Sequence, residues 1–596
     1  MSNGGKREVS RMNKTTKSGG IKVYAELLGQ YLFPHRGSLI ALTLLLFGLI
    51  GLQLASPQVI RYFIDTAGSD EPLEKLMYAA LLFIGFSIMQ QIIAIISTYV
   101  GENLAWKTTN KLRGDLAEHC LRLDMDFHKS NTSGSLIERV DGDVNALANF
   151  FSSFIIHLGG NLLLMIGIIV LLFLENVWIG AGMLLFVVFA VFIVQHIRKY
   201  AAPVWRDWRS INAEYYGFTG EHLEGTEDTR ANGASGYVMG RFYGLIRRML
   251  PLRQKAFLGF ASMWITTIIV FALGNVMAFV ISAYLWKTGA ITIGTVYLIF
   301  FYTELLAKPI EKIRTQIEDL QKADASMHRI RELMAMESGI KDGPGVKLAD
   351  GPVAVSFNGM SFSYGESPTI KGLNLDLKPG EVLGLLGRTG SGKTTIARLL
   401  LRFYDPQKGA IRLNGTDIRD MKLSELRNTV AIVTQNIEII QGTVRDNLTF
   451  YDPSITDEAI CAVLEELGLG DWLRSLKDGL DTTLDSGGGS MSAGEGQLLA
   501  FARVFLQNPG LVILDEASSR LDPLTEQRLE KAVDRLLKGR TCIIIAHRLS
   551  TIQRADRIAI MDGGVLAESG DREKLAGDPT SRFSRMLAIG LEEVTA

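Results

Sequence analysis

Six apolar stretches, at about residues 37–60, 76–100, 154–174, 177–197, 260–285 and 291–312, punctuate the first half of this 596-residue chain. Each reaches the roughly 20 helical residues that cross about 30 Å of hydrocarbon, which commits this half to a helical bundle with its backbone satisfied inside a bilayer. The sixth stretch is the least apolar. Only Glu175 and Asn176 interrupt the run between the third and fourth, predicting a tight hairpin. Seven Lys and Arg precede the first span, six fall in 101–153 and ten in 198–257; the other connections hold two (Arg61, Lys75), none and one (Lys287). Positive charge marks the cytoplasmic side, so both long loops and both termini are expected there, with Trp178 and Trp286 at the outer interface.

The long loops read as continuations of the spans. Leu112, Leu116, Cys120 and Leu123 recur at helical spacing, as do Ile313, Ile317, Leu320, Met327, Ile330 and Leu333 after the sixth span. Helices are therefore expected to reach tens of Ångströms into the cytoplasm. Before the first span, Val23, Leu27, Leu28, Tyr31 and Leu32 form one stripe of a short helix, lying on the membrane surface or packed on its neighbours. The basic, polar start lacks an apolar core with a cleavage site, so no removed signal peptide is expected.

A turn-rich stretch at 338–353 separates this half from a second, in which β-rich runs (VAVSFNG, EVLGLLG, VAIVT, GLVILDE, TCIIIAH, RIAIMDGG) alternate with helical segments. That alternation predicts an α/β domain with a largely parallel sheet. The expected organisation is an N-terminal cytoplasmic segment (1–36), an all-α transmembrane domain of six helices (37–335), a linker (336–350) and an α/β P-loop domain (351–596). A net charge of −1 gives no basic surface for a nucleic-acid partner. Cys120, Cys461 and Cys542 fall in segments placed in the cytoplasm, where no disulfide is expected. The eight histidines are scattered, without metal-ligand spacing.

GRTGSGKTT, residues 387–395, sits between the strand VLGLLG and the helix IARLLLRFY. In this pattern Gly387, Arg388, Thr389, Gly390, Ser391 and Gly392 wrap phosphates with backbone N–H groups, Lys393 reaches the outer phosphates, Thr394 offers a hydroxyl to Mg²⁺, and Thr395 completes the nucleotide-binding set. Downstream, LVILDE ends a buried strand in two acids. Asp515 is placed at the metal and Glu516 as the base that polarises an attacking water. Gln435, after another strand, can reach metal and water, and His547 can contact the γ-phosphate. A structural strand-end carboxylate is the plain alternative for either acid, and an ordinary polar residue for His547.

Taken in order, Tyr364 in SFSYG, GRTGSGKTT, Gln435, SMSAGEGQ, LDE, SRLDP and His547, behind six spans, resemble an ATP-binding cassette exporter half-transporter from about residue 20 to 590. The resemblance implies ATP and Mg²⁺ as cofactors and an ATP hydrolase coupled to transport. It implies that Tyr364 stacks on adenine, that Ser492 and Gly494 cap the γ-phosphate on a partner's phosphate loop, and that Asp522 links the two sites of a dimer. The loops near 124–135 and 219–225 look like the family's coupling helices.

Against the family's LSGGQ, the chain reads Met491, Ser492, Ala493, Gly494, Glu495. Ala493 adds a methyl where backbone approaches phosphate, and Glu495 adds negative charge near an anion, at a cost of roughly 1 to 4 kcal/mol if poorly screened. Ser486 also stands where the family usually has a glutamate. In asymmetric exporters an altered signature often accompanies an intact catalytic glutamate, the combination seen here, so a heterodimer is favoured over a homodimer. The expected cargo is a lipid, an amphiphilic drug-like compound or a peptide, leaving across a bacterial plasma membrane; an ATP-gated channel is the alternative. Inside the spans, His157, Asn161, Asn275 and Glu304 are polar. Glu304 either attracts a cationic amphiphile or lines an aqueous cavity, or else it pairs with Lys308 or a neighbouring helix.

Overall fold

The computed structural model describes residues 29, 31–69, 71–153, 159–365, 367–434, 437–485, 491–515, 523–545 and 549–589. It forms two compact units: Met1–Arg122 with Asn131–Met336, and Leu123–Ser130 with Glu337–Ala596.

The first unit is helical, with α1 (Arg36–Ala67) and α2 (Leu73–Arg122) leading in. Among the described residues, four helices are long and apolar enough to cross a membrane: Phe33–Ala67, Leu73–Arg122, Val177–Ile197 and Ser235–Lys287. The third and sixth expected spans appear as shorter apolar helices, Gly160–Glu175 and Ile293–Ala307. The third expected span begins at 154, and 154–158 lie outside the described residues, as does His157.

The expected continuations are present. α2 runs for 50 residues. After α3 (Met125–Ser130) and α4 (Val144–Ser153) come α5 (Gly160–Glu175), α6 (Val177–Glu224), α7 (Ser235–Lys287) and α8 (Ile293–Met334). α6, α7 and α8 are 48, 53 and 42 residues long. At 1.5 Å per residue these four helices span about 60–80 Å, at least twice the hydrocarbon thickness.

Polar ties gather the short connections at one end of the bundle. Arg61 pairs with Glu175 at 2.5 Å. Asp65 accepts hydrogen bonds from the Gly294 N–H and the Thr292 hydroxyl, each at 2.8 Å. Between the ends, Ile168, Leu172, Met183, Phe186, Val270 and Tyr302 form the packed centre. Beyond the spans, Tyr31 is buried and donates its hydroxyl to Asp115 at 2.8 Å. This part of the N-terminal stripe packs on α2, while residues 1–28 are outside the described set.

The second unit contains a six-stranded sheet and an antiparallel four-stranded one. In chain order the strands are β1 (Val355–Ser363), β2 (Pro368–Leu377), β3 (Val382–Gly387), β4 (Lys408–Leu413), β5 (Thr416–Asp417) and β6 (Val430–Val433). They continue with β7 (Gly442–Thr443), β8 (Thr483–Leu484), β9 (Leu511–Asp515), β10 (Thr541–Ile545), β11 (Arg557–Asp562) and β12 (Val565–Asp571). The larger sheet has the order β12-β11-β3-β10-β9-β6, parallel except for β12. The smaller one has the order β2-β1-β4-β5, so VAVSFNG contributes to this antiparallel layer.

The continuous apolar runs follow from burial on both faces of a parallel sheet. Val382, Leu386, Val512, Leu514, Cys542 and Ile544 point into one core; Leu383, Leu385, Leu511, Ile513, Ile543 and Ile545 point into the other. Cys120 and Cys542 are buried, Cys461 is half-buried, and all three are free thiols. Burial pushes the Cys542 thiol up to about 12.

Candidate nucleotide site

β3 delivers the phosphate loop and α9 (Lys393–Leu400) receives it. The loop conformation demands glycine at both ends. Gly387 has φ +144°, and a Cβ there would lie 2.2 Å from the Met561 carbonyl oxygen; Gly392, capping α9, has φ +104°. Arg388, Thr389 and Gly390 are exposed, Ser391 is buried, Thr394 is exposed and Thr395 is buried. The Lys393 side chain is folded into the loop, where its ammonium donates to the carbonyl oxygens of Gly387 (2.5 Å) and Arg388 (3.1 Å). The Ser391 hydroxyl is buried and has no hydrogen-bond partner, a polar group held ready for a ligand.

Asp515 closes β9. β10 lies between β9 and β3, and Ile545 is level with both Asp515 and Leu385. Asp515 and the phosphate loop therefore share the carboxyl edge of the sheet, two strands or about 10 Å apart, where parallel α/β sheets bind ligands. Gln435, Glu516, Asp522 and His547 lie outside the described residues. In sequence, Gln435 follows β6, Glu516 and Asp522 follow β9, and His547 follows β10.

Tyr364 follows β1. Phe362 and Tyr404 hold its ring edge-on at 4.9 and 5.1 Å, and its hydroxyl accepts a hydrogen bond from Arg398 at 3.4 Å. Burial pushes the neighbouring Tyr404 phenol up. The Lys129 ammonium lies 4.5 Å from the Tyr364 ring centroid. Lys129 belongs to α3, part of the 124–135 stretch expected to couple the domains, and α3 clusters with the second unit. Sequence reasoning missed this residue, because a six-residue helix carries no readable period.

Ser492, Gly494 and Glu495 stand on a different element, the start of α10 (Ala493–Gln507). Ser492 caps the helix: its hydroxyl accepts from the Glu495 N–H at 3.2 Å, and the Glu495 carboxylate accepts from the Ser492 N–H at 2.8 Å. This reciprocal capping box satisfies two otherwise orphaned donors. Glu495 is thus held at the helix N-terminus by its own turn, and the positive end of the helix already carries an anion. Ala493 is exposed and Gly494 buried; Ser486 is outside the described residues.

Further along α10, Arg503 donates to the Asn447 carbonyl at 2.7 Å and lies 4.7 Å from the Phe450 ring centroid. Burial lowers the affinity of its guanidinium for the proton. Arg503 also escaped sequence reasoning; it ties the signature helix to the segment after β7.

Two family models match the chain: "ABC transporter" over residues 370–519 and "ABC transporter transmembrane region" over 39–310. The chain is 30% identical over 552 residues to a Bacillus subtilis (strain 168) protein named "Uncharacterized ABC transporter ATP-binding protein YknV", covering 91% of both chains. It is 29% identical to the "ATP-dependent lipid A-core flippase" of Alcanivorax borkumensis, covering 91% of this chain and 93% of that one. A solved bacterial Atm1-family ABC exporter with ATP bound shares the fold, with a TM-score of 0.77 at 23% identity, over 93% of this chain and 98% of the other. The chain belongs to the ABC transporter family, as an exporter half in which a helical membrane domain is fused to the ATP-hydrolysing domain that drives it.

Proposed function

We propose that this chain exports a lipid, an amphiphilic drug-like compound or a peptide by alternating access, as one half of a dimer in a bacterial plasma membrane with both termini cytoplasmic. The working boundaries are a cytoplasmic segment 1–36, a six-helix domain 37–335, a linker 336–350 and a nucleotide-binding domain 351–596. The observation that supports this reading is the segment Leu123–Ser130, which interrupts the membrane half of the sequence and folds with the nucleotide unit. In this reading closure of the nucleotide domains is passed to the spans in part through this element.

The dimer has its own support. α9 contributes Ile396 and Leu399 to one core of the central sheet, while α10 contributes Leu499 and Phe501 to the other. The phosphate loop and the signature turn of one chain thus start on helices packed on opposite sheet faces. A nucleotide held by both kinds of element draws the second from another chain. Intact Glu516 with an altered signature favours a different half-transporter as that partner.

In this reading the loop N–H groups and Lys393 bind the phosphates, Tyr364 stacks on adenine, Glu516 accepts the proton of the attacking water, and His547 contacts the γ-phosphate. Among the described residues no group of three His, Cys, Asp or Glu converges on a metal site. The donor set of Thr394 and Asp515, joined by Gln435, suits Mg²⁺, which takes one or two protein ligands together with phosphates and waters. When bound it neutralises phosphate charge.

The test is flux. In proteoliposomes holding the chain and any required mate, a fluorescent lipid, a cationic dye and a labelled peptide are offered in turn with ATP. Accumulation of one of them against its gradient is the expected result; conductance without stoichiometric ATP use would replace the pump with a channel.

The altered signature gives a second expectation. Glu495→Gln keeps an acceptor for the capping box while removing the charge, so α10 remains intact. Turnover at sub-saturating ATP should rise about tenfold at the site this signature faces, the lower part of the range for a charge about 4 Å from phosphate. An unchanged rate would mean that Glu495 does not face the nucleotide.

A further inference from the structure

A groove of about 450 Å³ opens between α7 and α8, lined among others by Phe260, Met263, Trp264, Phe271, Asn275 and Glu304. This volume is in the range of small-molecule sites. Its walls are largely aromatic and apolar, but its lining carries two polar acceptors, an exposed Glu304 carboxylate and the Asn275 carbonyl. The Asn275 amide donates to a Glu304 carboxylate oxygen at 2.7 Å, while the Asn275 carbonyl oxygen is buried and unpartnered. The Thr267 hydroxyl, also in the lining, is engaged with the Met263 carbonyl at 2.9 Å. Of the two partners expected for Glu304, the structure supplies the neighbouring helix; the Lys308 side chain is outside the described set.

A carboxylate at membrane depth is costly unless something complements it. Glu304 has about four lone-pair sites and Asn275 supplies a donor to one of them. Among the described side chains, the requirement left unmet is for N–H donors and positive charge, next to an apolar body that fills the aromatic walls. Trp264, 62% exposed along the groove, offers a ring face for a cation. Neutral lipid would leave the Asn275 carbonyl without a donor and the Glu304 charge without a counter-ion, and an anion would be repelled.

We infer that this groove binds an amphiphilic ammonium ion, a protonated amine on a bulky aromatic or aliphatic body, with Glu304 as counter-ion and the Asn275 carbonyl as second acceptor. The inference rests on the export reading and names the cargo class for it. α7 runs into the membrane from residue 235, so in the orientation proposed above the groove extends from mid-span Asn275 toward the cytoplasmic end at Phe260, the side from which an exporter loads.

The experiment uses the full chain in lipid nanodiscs, with pyrenebutylamine, pyrenebutanol and pyrenebutyrate as probes of one body and three charges, and tryptophan-to-pyrene energy transfer, corrected for empty nanodiscs, as readout. The ammonium is expected to bind at least about tenfold more tightly than the alcohol, a difference of about 1.4 kcal/mol, and the carboxylate more weakly than either. Glu304→Gln should bring the ammonium to the alcohol's affinity, Glu304→Asp should restore part of the difference, and Asn275→Ala should weaken the ammonium alone. Retained binding of the alcohol by each variant reports that the groove is folded. Equal affinities for the three probes, or ammonium binding that survives Glu304→Gln, would overturn the site. ATP-driven flux of a neutral lipid without cation selectivity would sink the site and leave export standing; selective ammonium binding without ATP-driven flux of any cargo would keep the site and sink export.

Discussion

Glu516→Gln is expected to lower ATP turnover by about 10²- to 10⁴-fold, the contribution of a positioned general base, while ATP still binds. Glutamine keeps the size of the side chain and can still orient a water, but it has no basicity with which to take the proton. The groups proposed to hold the nucleotide are elsewhere: Lys393 and the N–H groups of the loop that joins β3 to α9. Lys393 itself is the poorer probe. Lys393 is buried and its ammonium is folded onto the carbonyls of Gly387 and Arg388, so its removal both unpairs backbone acceptors and takes away the proposed phosphate affinity. Turnover and equilibrium binding of a fluorescent ATP analogue, measured on one preparation, separate the roles. Turnover that survives Glu516→Gln would remove the proton-accepting role from Glu516 and pass it to His547, the other basic side chain proposed for the site.

The parts of the fold that could be read from sequence are those where burial acts on contiguous residues. LVILD and TCIII are buried on both sheet faces, so apolar character runs unbroken and the strands stand out. The half-buried antiparallel layer was harder. β1 pairs with β2 through register shifts between Phe357 and Ser363, which break the period of two that would mark a strand. The helical continuations were legible because Leu112, Leu116 and Cys120 do repeat along one face and are all buried.

Tertiary polar partners left no such trace. Arg61 and Glu175 are 114 positions apart, and nothing local in either sequence neighbourhood names the other. The same holds for Lys129 beside Tyr364. The Ser492–Glu495 capping box is a different case. The S-x-x-E spacing ahead of an apolar run is a helix-start signal in its own right, but likeness to a phosphate-facing signature drew the reading of Glu495 toward its charge and away from its local bond. The phosphate loop was legible as a motif, whereas the folding of Lys393 into that loop depends on backbone conformation at Gly387 and Gly392 that sequence only permits.

Arg329→Met is expected to destabilise the helical extensions beyond the spans by about 2 to 3 kcal/mol, near the low end of the cost of removing one partner of a buried ion pair. Asp143 is only 2% exposed. It ends the π-helical turn Glu138–Asp143, and it accepts hydrogen bonds from the Ser326 hydroxyl at 2.9 Å and from the Arg329 Nε at 2.8 Å, with a second, bidentate contact from Nη2. Asp143 in turn pushes the Arg329 guanidinium further up. Methionine would leave the buried carboxylate with a single hydroxyl donor. Because the Arg329 side chain is itself 46% exposed, water can enter and hold the loss below the upper limit. Asp143→Asn should cost less, since it leaves no buried charge and returns a half-exposed guanidinium to solvent. The double variant should resemble Asp143→Asn, and a penalty for Arg329→Met no larger than that of Asp143→Asn would show that charge is not what fastens this turn to α8. Limited proteolysis of the 131–153 segment reads the loss locally, where a melting temperature of a two-unit chain does not. The functional consequence comes from the lengths of α2 and α8: a lever that yields at its joint transmits less, so ATP turnover should persist in Arg329→Met while flux per ATP falls.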